Sequence, residues 1–169
     1  MEQIKVKLDN GAMFNSAHET DSGYDVCALG YREVKPNHEL GQKVLLNEGQ
    51  SVRINPHKTF LITTGVYLEL PQPEDKGEYL EIIEAQLRPR SGASLKESKV
   101  AILGTIDNAY RGEIGVILNN SSDIGFDIKK GERIAQVVIN AIRKYKNIKI
   151  VSEVNESNRG SNGFGSTGK

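Results

Sequence analysis

The chain has little of what identifies several large protein classes. It has one cysteine and no tryptophan, and 22 Lys and Arg residues balance 22 Asp and Glu residues. The single thiol, Cys27, excludes an internal disulfide framework, and we expect it to be a small buried residue in a reducing compartment. The balanced charge provides no global field that would attract nucleic acid or an anionic membrane, so any anion must be bound at a local site.

Long apolar runs and nucleophile pairs are also missing. No stretch approaches the roughly 20 apolar residues of a membrane helix, and the opening residues, MEQIKVKLDN, contain no apolar run of signal-peptide length. The three histidines, His18, His38 and His57, stand apart from any reactive Ser or Cys, and no Cys-His spacing resembles a zinc site. We therefore expect surface histidines in a soluble, cytoplasmic protein that binds neither nucleic acid nor membranes.

A strand-like rhythm runs along the chain instead. Short runs with two-residue alternation recur, and turn-forming residues separate them. EIIEAQL, residues 81 to 87, resembles a helix when taken alone, but its neighbours favour a strand, and SLKES, residues 94 to 98, is the one predicted helical turn. The last predicted strand is IKIV, residues 148 to 151. With no internal repeat and a length of 169 residues, the pattern predicts one all-β domain, a jelly roll or a related closed β architecture.

The chain closes with a segment of different composition. The strand pattern divides the sequence into a β domain, residues 1 to 154, and a flexible Gly-rich arm, residues 155 to 169. The final GFGSTGK fits part of the phosphate loop of nucleotide hydrolases, but that loop lies between a strand and a helix, and neither is predicted here. Phe164, Arg159 and a Ser-Thr pair on a Gly-rich backbone instead suit wrapping over a flat, anionic molecule.

Two arginines meet a small-residue turn in RPRSGASLK, residues 88 to 96. The backbone N–H groups of the turn, the Ser91 hydroxyl and the Arg90 guanidinium are suited to hold an anion. A surface turn with a basic fringe explains the same residues, and the pattern alone does not choose between the two.

A strand, a tight turn and a second strand are predicted in GTIDNAYRGEIG, residues 104 to 115. Asp107 and Asn108 are good turn residues and need no further role. However, an apolar run precedes them, so Asp107 is expected at the end of a buried strand, in a partly dry place where a carboxylate can deprotonate a water. Tyr110 suits contact with a ring, and Gly104 leaves room for a ligand near the backbone.

Polar residues also interrupt apolar strands elsewhere. Gln136 and Arg133 break the run GERIAQVVI, and a buried Gln needs a partner, either a backbone group or a ligand in the same cleft. Asp25 lies within a predicted strand, where Asp is depleted, and so calls for an ion pair or hydrogen bond. Arg111 and Glu113 are expected to form a structural ion pair.

Five of these stretches, taken in order and spacing, resemble the motifs of the trimeric dUTP pyrophosphatases, the dUTPases. The likeness spans residues 21 to 168, nearly the whole chain, and the PRSG, GxIDxxYRGE and RGxxGFGSTG cores are intact. Each motif alone is a weak signal, whereas the ordered set is specific. The five stretches are DSGYDVCA, RPRSGASLK, GTIDNAYRGEIG, GERIAQVVI and RGSNGFGSTG.

The resemblance implies a fold, an assembly and a reaction. It implies a jelly roll or distorted β-barrel that forms a homotrimer, with three active sites built from residues of all three chains. It implies an enzyme that hydrolyses dUTP to dUMP and pyrophosphate, with Mg²⁺ chelated by the triphosphate oxygens. The arm, residues 155 to 169, would order over the bound nucleotide and close the site.

Individual roles also follow from the resemblance. Asp107 would aim a water at the α-phosphorus, Tyr110 would press beneath the deoxyribose, and Asp25 would contact Mg²⁺ only through water. Gln136 would reach the α-phosphate region or a metal-bound water. The other residues implied to bind substrate are Arg90, Ser91 and Gly92 in the phosphate turn; Ala101, Gly104, Thr105 and Ile106 along the uracil edge; Phe164 over uracil; and Arg159, Gly165, Ser166 and Thr167 in the arm, with Arg159, Ser166 and Thr167 at the γ-phosphate.

Some features depart from the family pattern. Residues 31 to 60 and 71 to 79 look longer than the family minimum and are candidates for contact with a protein partner, and Leu103 stands where a small residue is frequent. Two alternatives stay open at this point: a dCTP deaminase-like enzyme of the same fold, and a non-enzymatic regulatory protein that responds to nucleotide.

Overall fold

Turn-forming residues divide the chain into short antiparallel strands. The computed structural model describes residues 3 to 90, 100 to 158 and 160, and those residues contain no α-helix. The strands are β1 (Lys5–Leu8), β2 (Gly23–Cys27), β3 (Gly30–Glu33), β4 (Val44–Leu45), β5 (Ser51–Ile54), β6 (Thr59–Thr63), β7 (Val66–Glu69), β8 (Glu74–Asp75), β9 (Tyr79–Pro89), β10 (Val100–Ala101), β11 (Gly104–Ile106), β12 (Gly115–Asn119), β13 (Phe126–Lys129) and β14 (Arg133–Tyr145).

These strands form two larger sheets and two strand pairs. One sheet has the order β10-β12-β6-β3-β4, and the other has the order β11-β9-β14-β2, with β8 added beside β9. The pairs are β1 with β7 and β13 with β5, and every strand pairing is antiparallel. The crossovers between strands that are distant in sequence are typical of a jelly roll.

The core lies where the apolar faces of these sheets meet. Alternation in β12 shows why: Val116 and Leu118 are 0% and 1% exposed, whereas Ile117 between them is 41% exposed. Side chains of both sheets and both pairs belong to one apolar cluster, and burying each such aliphatic side chain contributes roughly 1.5–3 kcal/mol. The prediction of an all-β fold class is confirmed.

The longest ladder joins β9 to β14. It runs from Pro89 opposite Ala135 to Tyr79 opposite Tyr145. Residues 81 to 87 lie within β9, so the choice of strand over helix for EIIEAQL is confirmed. This ribbon carries β11 on one side and β2 on the other, and it thereby positions the residues of the candidate site.

The predicted strand at residues 148 to 151 is wrong. β14 ends before it, and Ile148 and Ile150 are 81% and 94% exposed. The backbone of Lys146 still donates a hydrogen bond to the carbonyl of Glu78 at 3.1 Å. Beyond that point the segment opposite β14 is the turn that joins β8 to β9, so it provides no strand for residues 148 to 151. Strand-like alternation therefore continues where the protomer offers no neighbouring strand among the described residues.

The exposure of the cysteine and the histidines agrees with the sequence. Cys27 is 1% exposed, and His18, His38 and His57 are all exposed, as predicted. The predicted helical turn at residues 94 to 98 lies outside the described residues. Within the described part of the chain, no helix is long and apolar enough to cross a membrane.

Candidate active site

The chain from β10 to β12 surrounds a cavity of about 250 Å³. Residues 102 to 107, Tyr110 and the start of β12 line this cavity, named here the hairpin pocket. β10 is an edge strand of one five-stranded sheet, and β11 is an edge strand of the other. Because an edge strand presents N–H and C=O groups that no strand on its outer side uses, the pocket combines aliphatic walls with available backbone hydrogen-bonding groups.

The residues expected along the uracil edge are only partly gathered here. Gly104, Thr105 and Ile106 line the hairpin pocket, whereas Ala101 is buried, 4% exposed, and pairs with β12 behind it. A Cβ added to Gly104 would lie 3.7 Å from Leu87 Cδ1, an ordinary contact. The protomer itself therefore does not require glycine at this position.

Asp107 and Tyr110 lie in the turn that follows β11. The backbone N–H of Tyr110 donates to the carbonyl of Asp107 at 2.9 Å and closes the turn. Tyr110 is 47% exposed, and its hydroxyl donates to the carbonyl of Glu113 at 3.0 Å. The expectation of a partly dry Asp107 is wrong for this chain, because the turn leaves an edge strand and the residue is exposed.

The carboxylate of Glu113, which lies just before β12, makes an ion pair and a hydrogen bond with other parts of the chain. Its Oε2 lies 2.7 Å from Lys43 Nζ, and its Oε1 accepts a hydrogen bond from the backbone N–H of Gly65 at 2.8 Å. Arg111 was expected as the partner of Glu113, but its Nη1 donates to two carbonyl oxygens of its own turn, at 2.7 and 2.9 Å. The predicted ion pair between Arg111 and Glu113 is therefore wrong: Glu113 pairs with Lys43, which belongs to the long 31 to 60 segment.

A second, charged pocket lies at the start of β14. Asp25 Oδ1 is 3.1 Å from Arg90 Nε, Asp25 Oδ2 is 3.2 Å from Arg133 Nη1, and the Asp25 side chain is 14% exposed. Gln136 lies opposite Asp25 in the ladder, and its Nε2 donates to the carbonyl of Pro89 at 3.4 Å. Asp25, Arg90, Arg133 and Gln136 line a depression of about 300 Å³, named here the arginine pocket. Asp25 therefore has the ion pairs that its place in a strand called for, and Gln136 has a backbone partner.

A β-bulge brings Arg133 into this pocket. In a regular strand, residues three apart point to opposite faces, but the β14–β2 register shifts between Arg133 and Ala135. The extra residue places Arg133 and Gln136 on the same face. Sequence reasoning noticed Arg133 but assigned it no role. The sequence does indicate the bulge, because the adjacent apolar residues Ile134 and Ala135, which are both buried, break the two-residue alternation of the strand.

The two pockets are separate in the protomer, and their linings share no residue among those described. The remaining candidate residues, in the phosphate turn and the arm, lie outside the described residues. They are Ser91, Gly92, Arg159, Phe164, Gly165, Ser166 and Thr167.

The site does not resemble a thiol or metal-cluster centre. Burial raises the pKa of Cys27, and its Sγ lies 3.8 Å from the carbonyl oxygen of Gly11. A buried thiol of this kind is a poor nucleophile. Among residues 3 to 90, 100 to 158 and 160, no three His, Cys, Asp or Glu side chains are grouped as a metal cage.

Comparison with known proteins identifies relatives across the whole chain. The dUTPase family model matches residues 45 to 168. The deoxyuridine 5'-triphosphate nucleotidohydrolase of Picosynechococcus sp. is 47% identical over 79% of this chain and 89% of its own length. The protein of the same name from Clostridium tetani is 40% identical over 99% of this chain and 96% of its own length.

Solved structures agree with these relatives. The dUTPase of Staphylococcus bacteriophage 80alpha, solved with dUPNHPP, covers 100% of both chains at 27% identity and a TM-score of 0.74. A mutant dUTPase from phage phi11 of S. aureus, which coordinates a structural Mg(II) ion, shares the fold at 23% identity over 90% of this chain, with a TM-score of 0.64. The family model, the full-length relatives and the fold agree, and the chain belongs to the dUTPase family.

Proposed function

We propose that the protein hydrolyses dUTP to dUMP and pyrophosphate. The observation that carries the proposal is the hairpin pocket, in which Asp107 and Tyr110 border a cavity of about 250 Å³ lined by edge-strand backbone. Family membership supports the substrate class, and we propose that the base, the sugar and the attacking water bind at this pocket.

Backbone groups of β11 bind the edge of the base in this proposal. Uracil presents one N–H donor between two carbonyl acceptors, and the available N–H and C=O groups of the strand edges at residues 104 to 106 complement that pattern. Cytosine has an amine where uracil has a carbonyl and would leave polar groups unpaired, which is costly in a pocket. The same backbone excludes the thymine methyl group in this proposal. Tyr110 packs beneath the deoxyribose and excludes a ribose 2′-hydroxyl.

The reaction in this proposal is attack of water on the α-phosphorus. The Asp107 carboxylate accepts the proton of that water, the new P–O bond forms on the α-phosphorus, and the bond to the bridging oxygen breaks so that pyrophosphate leaves. Asp107 suits this role because it is exposed at the edge of the hairpin pocket. The guanidinium groups of Arg90 and Arg133 suit the negative charge of the phosphates. Gln136 donates to the α-phosphate region or to a bound water.

In this proposal Mg²⁺ enters with the nucleotide, bound to its triphosphate oxygens. The ion would neutralise phosphate charge and help to orient the leaving group. Asp25 and Asp21 are the carboxylates that line the arginine pocket. Both Asp25 oxygens already face guanidinium groups, at 3.1 and 3.2 Å, so we propose that Asp25 contacts the ion only through water.

A homotrimer completes the site in this proposal. One nucleotide must reach a base pocket and a cationic pocket, yet the hairpin pocket and the arginine pocket of one protomer share no described lining residue. We propose that the hairpin pocket of one subunit faces the arginine pocket of the next. The arm, residues 155 to 169, extends from the β domain, residues 1 to 154, and closes the site of a neighbour, with Phe164 over uracil and Arg159, Ser166 and Thr167 at the γ-phosphate.

Two experiments test this function. Purified protein incubated with dUTP and Mg²⁺ should release pyrophosphate, whereas ammonia from dCTP would indicate the deaminase and binding without turnover would indicate a regulatory binder. Mixing subunits that carry Asp107→Asn with subunits that carry Arg90→Ala, after joint unfolding and refolding, should restore activity that neither variant has alone. Failure of the mixture to regain activity contradicts the shared site but not the reaction.

A further inference from the structure

The side chain of Asn108 makes two hydrogen bonds that a turn residue does not need. Its Nδ2 donates to the carbonyl of Pro71 at 2.7 Å and to the carbonyl of Ile83 at 2.9 Å. Asn108 is half-buried, so both bonds are partly shielded from water. A single amide nitrogen therefore connects the turn after β11 to β9 and to the long 71 to 79 loop.

The register of the sheet explains why the carbonyl of Ile83 accepts one of these hydrogen bonds. In the β11–β9 ladder, Ile106 pairs with Ala85. Continuing that antiparallel register by two residues places Asn108 opposite Ile83. The backbone leaves β9 at this point to form the turn, and the side-chain amide of Asn108 donates to the carbonyl that the next ladder position would otherwise use. The ladder is thus extended by one side chain while the backbone of Asp107 turns away.

This anchor acts on the residue next to it. Asp107 is exposed, so packing alone does not hold its carboxylate, and its position depends on the backbone of its turn. The turn is closed by the hydrogen bond from the Tyr110 N–H to the Asp107 carbonyl, and the carbonyl of Asn108 accepts a hydrogen bond from Arg111 Nη1 at 2.7 Å. The Asn108 side chain is the part of the turn that reaches into the fold behind it.

We infer that Asn108 is a positioning residue for the proposed general base, and that it holds Asp107 at the geometry needed to deprotonate the attacking water. This inference rests on the proposed function, because it assigns Asp107 as the base. It also gives the 71 to 79 loop a role, since Pro71 supplies one of the two acceptors. An attacking water needs alignment to a fraction of an ångström, and a 1 Å displacement costs on the order of 10²-fold in rate.

The discriminating variant is Asn108→Asp. It keeps the shape of the side chain but replaces the two-bond donor with an oxygen that faces two carbonyl oxygens. We expect kcat for dUTP to fall on the order of 10- to 100-fold. The affinity for dUPNHPP should stay within about threefold, because the backbone at residues 104 to 106 and the arginine pocket are untouched. Asn108→Ser, which keeps one shorter donor, should retain more kcat and provides a folded comparison if the Asp variant is unstable.

A matched control is Asn119→Leu. Asn119 is also half-buried, and its Nδ2 donates to Thr59 Oγ1 at 2.8 Å, but it lies at the far end of β12. The leucine variant is of similar size, loses this hydrogen bond and should leave kcat unchanged. A similar loss of kcat in both variants would show a general stability effect and would overturn the positioning role.

A double variant separates positioning from stability. In an Asp107→Asn background the base is already missing, so adding Asn108→Asp should reduce residual turnover no further, as measured with enzyme in excess over dUTP. An equal fold reduction in both backgrounds, or unchanged kcat for Asn108→Asp alone, overturns the inference while leaving the proposed function intact. Full turnover by Asp107→Asn instead overturns the proposed base, and the inference fails with it.

Discussion

The phenol of Tyr110 lies across Gly112, and its hydroxyl donates to the carbonyl of Glu113 at 3.0 Å. A Cβ built on Gly112 would overlap the Tyr110 hydroxyl and ring. The ring can therefore fold back over its own turn only because residue 112 has no side chain. The Glu113 carboxylate, held by Lys43 and the Gly65 N–H, fixes the backbone that accepts the hydroxyl. The turn thus presents the ring in one orientation.

Gly112→Ala should displace that ring. The added methyl group competes with the phenol for space, so the proposed contact with the deoxyribose weakens. We expect KM for dUTP to rise about tenfold, which corresponds to roughly 1.4 kcal/mol, and discrimination against UTP to decrease. Steady-state kinetics with both nucleotides measure the two effects. Tyr110→Phe is the control, because it keeps the ring and loses only the hydroxyl bond. An alanine variant with the kinetics of the original chain contradicts this role of Gly112.

Asp107→Asn should remove catalysis and keep binding. The amide has nearly the shape of the carboxylate but does not accept the proton of the attacking water, so kcat should fall by about 10²- to 10⁴-fold. Affinity for dUPNHPP, measured by calorimetry, should stay within about tenfold. Asp123→Asn is the matched control, since Asp123 is 96% exposed beside His57 and outside both pockets. The assignment of the base fails if the two variants turn over dUTP equally well.

Lys43→Met should destabilise the protein. The Lys43 and Glu113 side chains are only 27% and 18% exposed, so the variant leaves a mostly buried carboxylate without its cation. We expect a loss of about 1–3 kcal/mol in the free energy of unfolding, measured by urea denaturation. Lys5→Met is the control, because the pair of Lys5 and Glu69 is exposed, at 71% and 50%, and exposed pairs contribute little. Equal denaturation midpoints for the two variants contradict the importance of Lys43.

Cys27 should resist alkylation in the folded protein. Burial raises the pKa of its thiol, so less thiolate is present at a given pH than in the unfolded chain. Because the folded pKa is the higher one, the stabilising contribution is complete below the unfolded pKa and is lost as pH rises through the folded pKa. Iodoacetamide labelling at pH 8, followed by mass spectrometry, should be slow in buffer and fast in urea. Rapid labelling in buffer would show that Cys27 is accessible.

Local patterns in the sequence determined much of the fold and the candidate site. Alternation of apolar residues predicted the strands, since each side chain of a strand faces either the core or the solvent. Ordered motifs in the sequence pointed to Asp25, Asp107, Tyr110 and Gln136. The same logic failed at residues 148 to 151, because alternation is a property of one segment, whereas a strand requires a hydrogen-bonding neighbour.

The tertiary structure decided which side chains meet. Lys43 contacts Glu113 from 70 positions away, and Asn108 reaches Pro71 from 37 positions away. A single bulge turns Arg133 to the face of Gln136. Local spacing carries no information on such contacts, because strand order and register bring together segments that are distant along the chain. The sequence therefore determined the chemical groups that this protein has, and the pairing of its strands decided the geometry in which they are held.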